Sequence, residues 1–289
     1  MISFFVRVLI YSIVLCGMLP GFIQMPASCQ REVEAHHDQL YLLSHEFVYL
    51  VTADIFGQRI SLTLVKEGDG HFTTWVPDSN INTIYATAFR VDAAGHFATS
   101  RYAVEPWNNT YDQTVLKAVF SKELGLPESQ ITVGGMTRKI FLRKAGEKGE
   151  GTIIPVADPL LQYTGWLLWK DLSSAVRGNP SPDLIPAGSH PQGAGAINMK
   201  AGAGIQPDQA VYLYGYQPHG LADTLVQPAV LPLTVTTLSD GIARIRQTGS
   251  LPEGAPVFNS QGVFLGIYSA ANRKTVEDPL VFYPVALRL

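Results

Sequence analysis

Short runs of β-branched and aromatic residues, each followed by turn residues, constrain the fold of this chain more than any other feature. Residues 47–53 and 60–65 form two such runs on either side of Phe56-Gly57, and Gly68-Asp69-Gly70 follows as a second turn signal. Val, Ile, Thr, Tyr and Phe favour extended strands, whereas Gly and Asp favour the tight turns between them. The sequence therefore predicts a mainly β protein built as barrels or a sandwich.

Composition limits both the architecture and the class of partner. The 289 residues are 46% hydrophobic and 16% charged, which is enough for one sizeable core or two small domains. The formal net charge is -3, and Lys and Arg are not clustered. Because nucleic-acid binding depends on clustered positive charge, nucleic acid is excluded as a main partner.

The N-terminal 28 residues have the layout of an export signal. Arg7 precedes an apolar run over residues 8–19, Pro20-Gly21 interrupts it, and the small residues Ala27-Ser28 follow. A spanning helix needs about 20 apolar residues, so this run is short unless its apolar neighbours are included. Residues 1–28 are therefore predicted to be a signal peptide or a membrane anchor, the alternative being a buried helix of the folded domain.

Cys29 is a candidate for lipidation. It directly follows Ala27-Ser28, which resembles a bacterial lipobox, although Pro26 stands where Leu is usual. Signal cleavage would leave Cys29 as the sole cysteine, since the other is Cys16, and an unpaired thiol in an exported protein calls for a reason. A lipoprotein, an uncleaved anchor and a simply secreted protein all stay open. Each places the chain in the bacterial envelope or periplasm, and the first two attach it to a membrane by its N-terminus.

Composition divides the rest of the chain into four parts. Residues 29–45 are polar and are predicted to be a tether or a short helix, and 46–177 are predicted to form a first β-barrel with a partly helical insertion near 114–126. Residues 178–208 are rich in Gly and Pro, which resist regular structure, and are predicted to connect two domains. Residues 209–289 return to strand-like runs and are predicted to form a second β-barrel.

Three stretches, in order, resemble the trypsin-like serine protease family, and most of all its bacterial periplasmic heat-shock proteases. Residues 86–104 read ATAFRVDAAGHFATSRYAV, which follows the strand, turn, strand and short helix that carry the family's catalytic histidine. Residues 254–267 read GAPVFNSQGVFLGI, similar to the segment that follows the nucleophilic serine, and 282–285 read FYPV, similar to the closing strand. Over residues 45–289 the resemblance implies two six-stranded antiparallel β-barrels.

The resemblance places other residues at the catalytic positions. Tyr102 stands at the position of the histidine, Glu253 at that of the serine and Leu251 at that of the oxyanion-hole glycine. Gly165, in TGWLLWK, is the favoured position for the aspartate. Asp112 is the alternative, although it follows Tyr102 so closely in sequence that little chain is left to cross the barrel.

These replacements predict that the chain is not an enzyme of this family. The triad needs an alcohol or thiol nucleophile, a base and an orienting carboxylate. Tyrosine, with a pKa of about 10, is a poor base near neutrality, and a carboxylate at residue 253 would repel a developing oxyanion. The sequence predicts no cofactor and no metal site: His36-His37-Asp38 is interpreted as part of the polar tether, and residues 193–204 lack the ending of a phosphate-binding loop.

The sequence therefore predicts a pseudoprotease that acts as a scaffold or accessory subunit of a membrane protein complex. One alternative is an active serine peptidase with a rearranged site, for which Asp112 and Ser250 are the candidates. Another is a peptide or ligand sensor that uses the former substrate cleft: an exposed Glu253 in an open cleft would favour it, and a filled cleft would favour plain packing. Tyr212, Tyr214 and Tyr216 alternate along one strand face and are predicted to pack in the core.

Overall fold

A computed structural model provides the coordinates of the chain. It describes residues 26–68, 70–77, 79–91, 96–144, 152–153, 161–163, 166–170, 197, 205–217, 227–239, 242–246, 251–269 and 280–284. Residues 1–25 of the predicted signal or anchor, Gly165, Ser250 and nearly all of the Gly/Pro-rich connection lie outside these ranges. Within them, no helix combines the length and the apolar character required to cross a membrane.

Strands dominate the described residues. The helices are α1 (Ala27–Glu34), α2 (Arg101–Val104) and α3 (Thr110–Leu124), with 3₁₀ turns at His37–Gln39, Pro106–Asn108 and Glu128–Gln130. The strands are β1 (Leu40–Ile55), β2 (Gln58–Lys66), β3 (Phe72–Thr74), β4 (Asn82–Arg90), β5 (His96–Ser100), β6 (Ile131–Lys144), β7 (Thr152–Ile153), β8 (Leu161–Tyr163), β9 (Trp166–Lys170), β10 (Ala210–Gly215), β11 (Ala229–Ser239), β12 (Ile242–Arg246), β13 (Pro256–Phe258), β14 (Phe264–Tyr268) and β15 (Leu280–Pro284). The prediction of a mainly β chain with two antiparallel sheets is confirmed.

The first sheet is organised around β1 and has nine strands within the described part of the chain, where a six-stranded barrel was expected. With 16 residues, β1 is far longer than a typical strand of about five or six. On one side it pairs with β4 over its first half and with β2 over its second half, and on the other side it pairs with β6. Because β1 is long, three strands pair with it. The short strands β3, β7 and β8 extend the sheet further.

The second sheet is a closed barrel of six strands, in the order β10-β11-β12-β15-β14-β13. Successive side chains of β10 point to opposite faces of the strand. Val211 and Leu213 lie in a cluster with Leu233, Val235 and Val257, and these side chains fill the barrel. The remaining side chains of β10 face away from this cluster.

Tyr212, Tyr214 and Tyr216 carry the contact between the two sheets. All three are buried, and they cluster with Leu42 of β1 and Phe89 of β4. The prediction that these tyrosines pack in the core is confirmed, and the core that they join is the interface between the sheets. This interface brings β4 and β5 of the first sheet beside the second barrel.

Residues 29–45, the predicted tether or short helix, pack on the folded domain. They contain most of α1 and the beginning of β1, which starts at Leu40. Cys29 and Val33, four residues apart on one face of α1, are buried, and they belong to the same cluster as the interface tyrosines. The following His36 ring stacks on Phe258, with 4.9 Å between the ring centroids. The start of the segment looks polar in sequence because the exposed residues Gln30, Arg31, Glu32 and Glu34 surround the two buried ones on α1.

The predicted helical insertion corresponds to α3, which packs on the core of the first sheet. The side chain of Asn109 accepts hydrogen bonds from the backbone N–H groups of Tyr111 (2.9 Å) and Asp112 (3.1 Å) and so caps the N-terminus of α3. Gly125, with a φ of 66°, ends the helix in the left-handed conformation that glycine adopts most readily. Leu116 is fully buried and anchors α3 against β1 and β6.

Candidate functional site

Tyr102 lies in α2, directly after β5. Ser100 caps this short helix, since its Oγ accepts a hydrogen bond from the N–H of Ala103 at 3.1 Å. The buried imidazole of His45 donates from Nδ1 to the carbonyl oxygen of Ala103 at 2.9 Å. The expected order of strand, strand and short helix is therefore present. The hydrogen bond from His45 holds α2 against β1.

Glu253 lies in a tight turn at the contact between the two sheets. Only 8% of its surface is exposed, and its carbonyl oxygen accepts a hydrogen bond from the N–H of Thr87 at 2.7 Å. The next residue, Gly254, has a φ of 73° and donates its N–H to the carbonyl oxygen of Tyr268 at 3.0 Å. A Cβ on Gly254 would stand 2.5 Å from the carbonyl oxygen of Thr87, so only glycine fits here.

Thr87 organises the polar contacts around this turn. Its carbonyl oxygen accepts a hydrogen bond from the hydroxyl of Thr99 at 2.8 Å, and its own hydroxyl oxygen accepts one from the N–H of Tyr216 at 3.0 Å. Thr87 and Thr99 are fully or almost fully buried. The turn that carries Glu253 is thereby tied to β4, while Gly254 ties it to β14.

Two carboxylates influence the phenol of Tyr102. Burial, the negative charge of Glu253 and that of Asp112, in this order, raise the pKa of Tyr102 well above its usual value of about 10. The hydroxyl therefore keeps its proton throughout the physiological range. It can donate a hydrogen bond, but it cannot accept a proton as a general base.

Asp112 is the centre of a buried charge cluster. Only 4% of its surface is exposed, and its carboxylate accepts hydrogen bonds of 2.6 Å from the hydroxyl of Tyr49 and from Nζ of Lys66. The Lys66 ammonium also lies over the rings of Phe72 and Tyr111, 5.8 and 5.7 Å from their centroids. Burial and Asp112 together raise the pKa of Tyr49. The buried negative charge is thus compensated by one ion pair and one neutral donor.

The structure therefore brings Tyr102, Glu253 and Asp112 into one electrostatic environment. Gly165 lies outside the described residues, although its neighbour Trp166 pairs with Ser100 beside α2. Which of Gly165 and Asp112 stands at the aspartate position stays a prediction. Asp112 comes close to Tyr102 because α2, the 3₁₀ turn at Pro106–Asn108 and the start of α3 follow one another without crossing the sheet. The cap residue Asn109 is the sequence signal for this compact turn.

Cys29, the candidate for lipidation, is buried in this structure. Its thiol hydrogen bonds with Tyr212, and burial, the larger effect, raises its pKa. Lipidation itself stays a prediction, and a lipid on this sulfur would require α1 to leave the barrel.

The two histidines of the predicted tether take part in packing. His36 Nδ1 lies 2.8 Å from Oε1 of Gln39, and His37 Nδ1 lies 2.9 Å from the hydroxyl of Tyr214. Among the described residues, no group of three or more His, Cys, Asp or Glu side chains is placed to hold a metal ion.

No protein-family model and no curated protein sequence matches the chain. Among solved structures, the chain is similar to trypsin-like and HtrA-type serine proteases at low sequence identity. The active form of the Rv3671c protease from M. tuberculosis is 12% identical, with a TM-score of 0.44 over 92% of this chain and 82% of that one. The scabies mite inactivated protease paralogue S-I1 is 12% identical, with a TM-score of 0.41 over 83% of this chain and 89% of that one. The HtrA-type protease AlgW with a tripeptide is 9% identical, with a TM-score of 0.40 over 90% of this chain and 60% of that one.

Proposed function

We propose that this chain is a catalytically inactive, trypsin-like domain that works by binding, as a scaffold or accessory subunit of a bacterial envelope complex. The observation that carries the proposal is the burial of the Glu253 carboxylate, whose charge adds to the effect of burial in raising the pKa of Tyr102. These residues stand where the family resemblance puts the nucleophile and the base.

Neither residue supports acyl transfer in these positions. The raised pKa of Tyr102 keeps the phenol from taking a proton off an attacking group. The carboxylate of Glu253 supplies no hydroxyl or thiol, and its charge opposes the oxyanion that hydrolysis must form. Losing a single oxyanion-hole donor lowers a protease's kcat by about 10²–10³-fold, so the combined replacements remove the route.

The burial of Glu253 also argues against a role as a ligand sensor that uses the former substrate cleft. A sensor would present this carboxylate to solvent, whereas its backbone is bonded to Thr87 and its side chain is covered. The burial of this side chain favours a packing role for it. A function by binding then has to use another surface of the molecule.

The proposed envelope attachment comes from the predicted anchor or lipid at the N-terminus. Since α1 begins at Ala27 and packs on the second barrel, little chain remains between a membrane segment and the folded domain. The domain would lie close to the membrane surface. This position suits an accessory subunit that contacts the extramembrane part of a larger complex.

The test is a purification of the tagged, full-length chain from its native membranes in a mild detergent, with intact-complex mass measurement. The proposal expects a membrane protein that co-purifies in a fixed ratio and survives a second, orthogonal purification step. A chain that emerges alone, or with partners in variable and substoichiometric amounts, would contradict the subunit role.

A further inference from the structure

The outer edge of β2 is open over about half of its length. The short strand β3 covers only Leu64–Lys66, and Trp75 extends the contact by one hydrogen bond, from its N–H to the carbonyl oxygen of Thr63 at 2.8 Å. Among the described residues, no strand and no backbone hydrogen bond occupies this edge between Gln58 and Leu62.

The hydrogen bond from Trp75 fixes which residues face the open edge. In an antiparallel ladder the N–H and C=O of one residue point to the same side, and successive residues alternate. Because the C=O of Thr63 points away from β1, the backbone groups of Ser61 and Arg59 do so as well. Those of Leu62 and Ile60 point to their cross-strand partners in β1, Val51 and Ala53.

This edge has few of the devices that protect most sheet edges. Exposed edges are usually blunted by Pro, a bulge or unpaired charge. Residues 58–62 contain no Pro, and the β1–β2 register runs without a bulge from Tyr49↔Leu64 to Ile55↔Gln58. The one charged residue of this stretch is Arg59, which lies opposite Asp54 in the backbone register. An edge guarded by a single charge is still a template for another strand.

An apolar surface lies beside the open edge on one face of the sheet. Ile60 is 43% exposed there, and the neighbouring Ile55 and Leu62 are partly buried against the core of the first sheet. At the tip of the hairpin, Phe56 is fully exposed and has a φ of 50°, as the first central residue of a two-residue hairpin turn requires. Phe56 therefore adds an exposed aromatic ring at the end of this edge.

We propose that the edge formed by residues 58–62, together with the Phe56 tip, binds an extended segment of a partner protein as an added β-strand. The segment bonds through its backbone to the N–H and C=O groups of Arg59 and Ser61. Its side chains alternate, with apolar ones on the face of Ile60 and Leu62 and polar ones on the other face. The inference rests on the proposed role in binding and specifies the surface that performs it.

Amide hydrogen exchange, followed by NMR on the isolated full-length chain in detergent, tests the proposal. The probe is the peptide acetyl-Thr-Val-Thr-Val-Thr-Val-amide, added at millimolar concentration. In the free protein the amides of Arg59 and Ser61 exchange fast, whereas those of Ile60 and Leu62 are protected by β1. At saturation, we expect exchange at Arg59 and Ser61 to slow by about tenfold or more, with Ile60 and Leu62 little changed.

Two controls separate strand addition from nonspecific contact. The same peptide, N-methylated at every residue so that neither of its edges keeps an N–H group, should give no protection. Ile60→Lys places a charge on the apolar surface and should abolish the protection, whereas Leu238→Lys, a similarly exposed site (44%) in the second sheet, should leave it intact. Protection by the methylated peptide, or none by either peptide, would overturn the proposal.

A second copy of the chain is the other conceivable occupant. Protection of Arg59 and Ser61 that grows with protein concentration in the absence of peptide would indicate self-pairing and overturn the proposal of a partner segment. This measurement uses neither a native partner nor catalysis. Its failure would therefore leave the proposed inactive, complex-bound role standing, and failure of that role would not affect the exchange result.

Discussion

His45 is the buried residue on which the placement of Tyr102 depends. Its Nδ1–H donates to Ala103 in α2, and its Nε2 lies 3.0 Å from the hydroxyl of Thr137 in β6, so both ring nitrogens have partners. Burial, opposed in part by the hydrogen bond to Ala103, lowers the pKa of His45 from 6.5 to about 4. The neutral imidazole therefore holds α2 on the first sheet near neutral pH.

Stability should fall as the pH decreases from about 6.5 to about 4. In this window the unfolded chain binds a proton at His45 and the native chain does not, so acidification favours unfolding, by up to about 3 kcal/mol. Urea unfolding at a series of pH values measures the slope. His45→Gln, which cannot titrate, should flatten it. An equal slope in wild type and variant would contradict the assignment.

Two adjacent glycines in β6 offer a matched pair of substitutions. A Cβ on Gly135 would overlap the indole of Trp107, whereas the nearest atom to a Cβ on Gly134 is the carbonyl oxygen of Leu50 at 3.9 Å. Gly135→Ala should lower the free energy of unfolding by about 1–3 kcal/mol, because a packed ring must move. Gly134→Ala should be neutral or stabilising by about 0.5 kcal/mol. Denaturant titrations that rank the two variants in the opposite order would show that Trp107 does not pack there.

At the scale of elements, α1 shows why the sequence predicted some parts and not others. The sequence predicted the order of β4, β5 and α2, because a short run of residues encodes each of these elements. It also predicted the hairpin of β1 and β2 around Phe56-Gly57. It did not predict the docking of α1, since only Cys29 and Val33 pack and the exposed residues around them read as a tether. The proximity of Asp112 to Tyr102 depends on how α2 and α3 turn in space, which spacing along the chain does not reveal.

Docked α1 should protect Cys29 from alkylation. In a Cys16→Ser background, iodoacetamide should modify Cys29 slowly in the folded chain, since the thiol is buried and its pKa is raised, and rapidly in denaturant. Val33→Asp should release the helix and speed the reaction, while Gln30→Asp, at an exposed site on the same helix, should not. Peptide mass spectrometry measures the rates. Fast labelling of the folded wild type would contradict the docking of α1.

For the whole molecule, the junction at Thr87 and Gly254 sets how the two sheets meet. Gly254 and Gly57 both have a positive φ, 73° and 79°, but a Cβ on Gly57 would meet no atom within 4 Å. Gly57→Ala should therefore cost only the backbone strain of about 1–2 kcal/mol. Gly254→Ala should cost clearly more, because it also pushes on the backbone of Thr87. Equal losses of unfolding free energy in the two variants, measured by thermal or denaturant unfolding, would mean that the backbone of Thr87 shifts at little cost.

The central proposal is that this chain has no catalytic function. The direct measurement is the intact mass of the purified, full-length chain after incubation with an excess of a fluorophosphonate, with an active serine protease treated in parallel. The account predicts no stoichiometric adduct on this chain while the control protein is fully labelled. A single phosphonyl adduct that disappears in a Ser250→Ala variant would contradict it and establish an active serine hydrolase with a rearranged site.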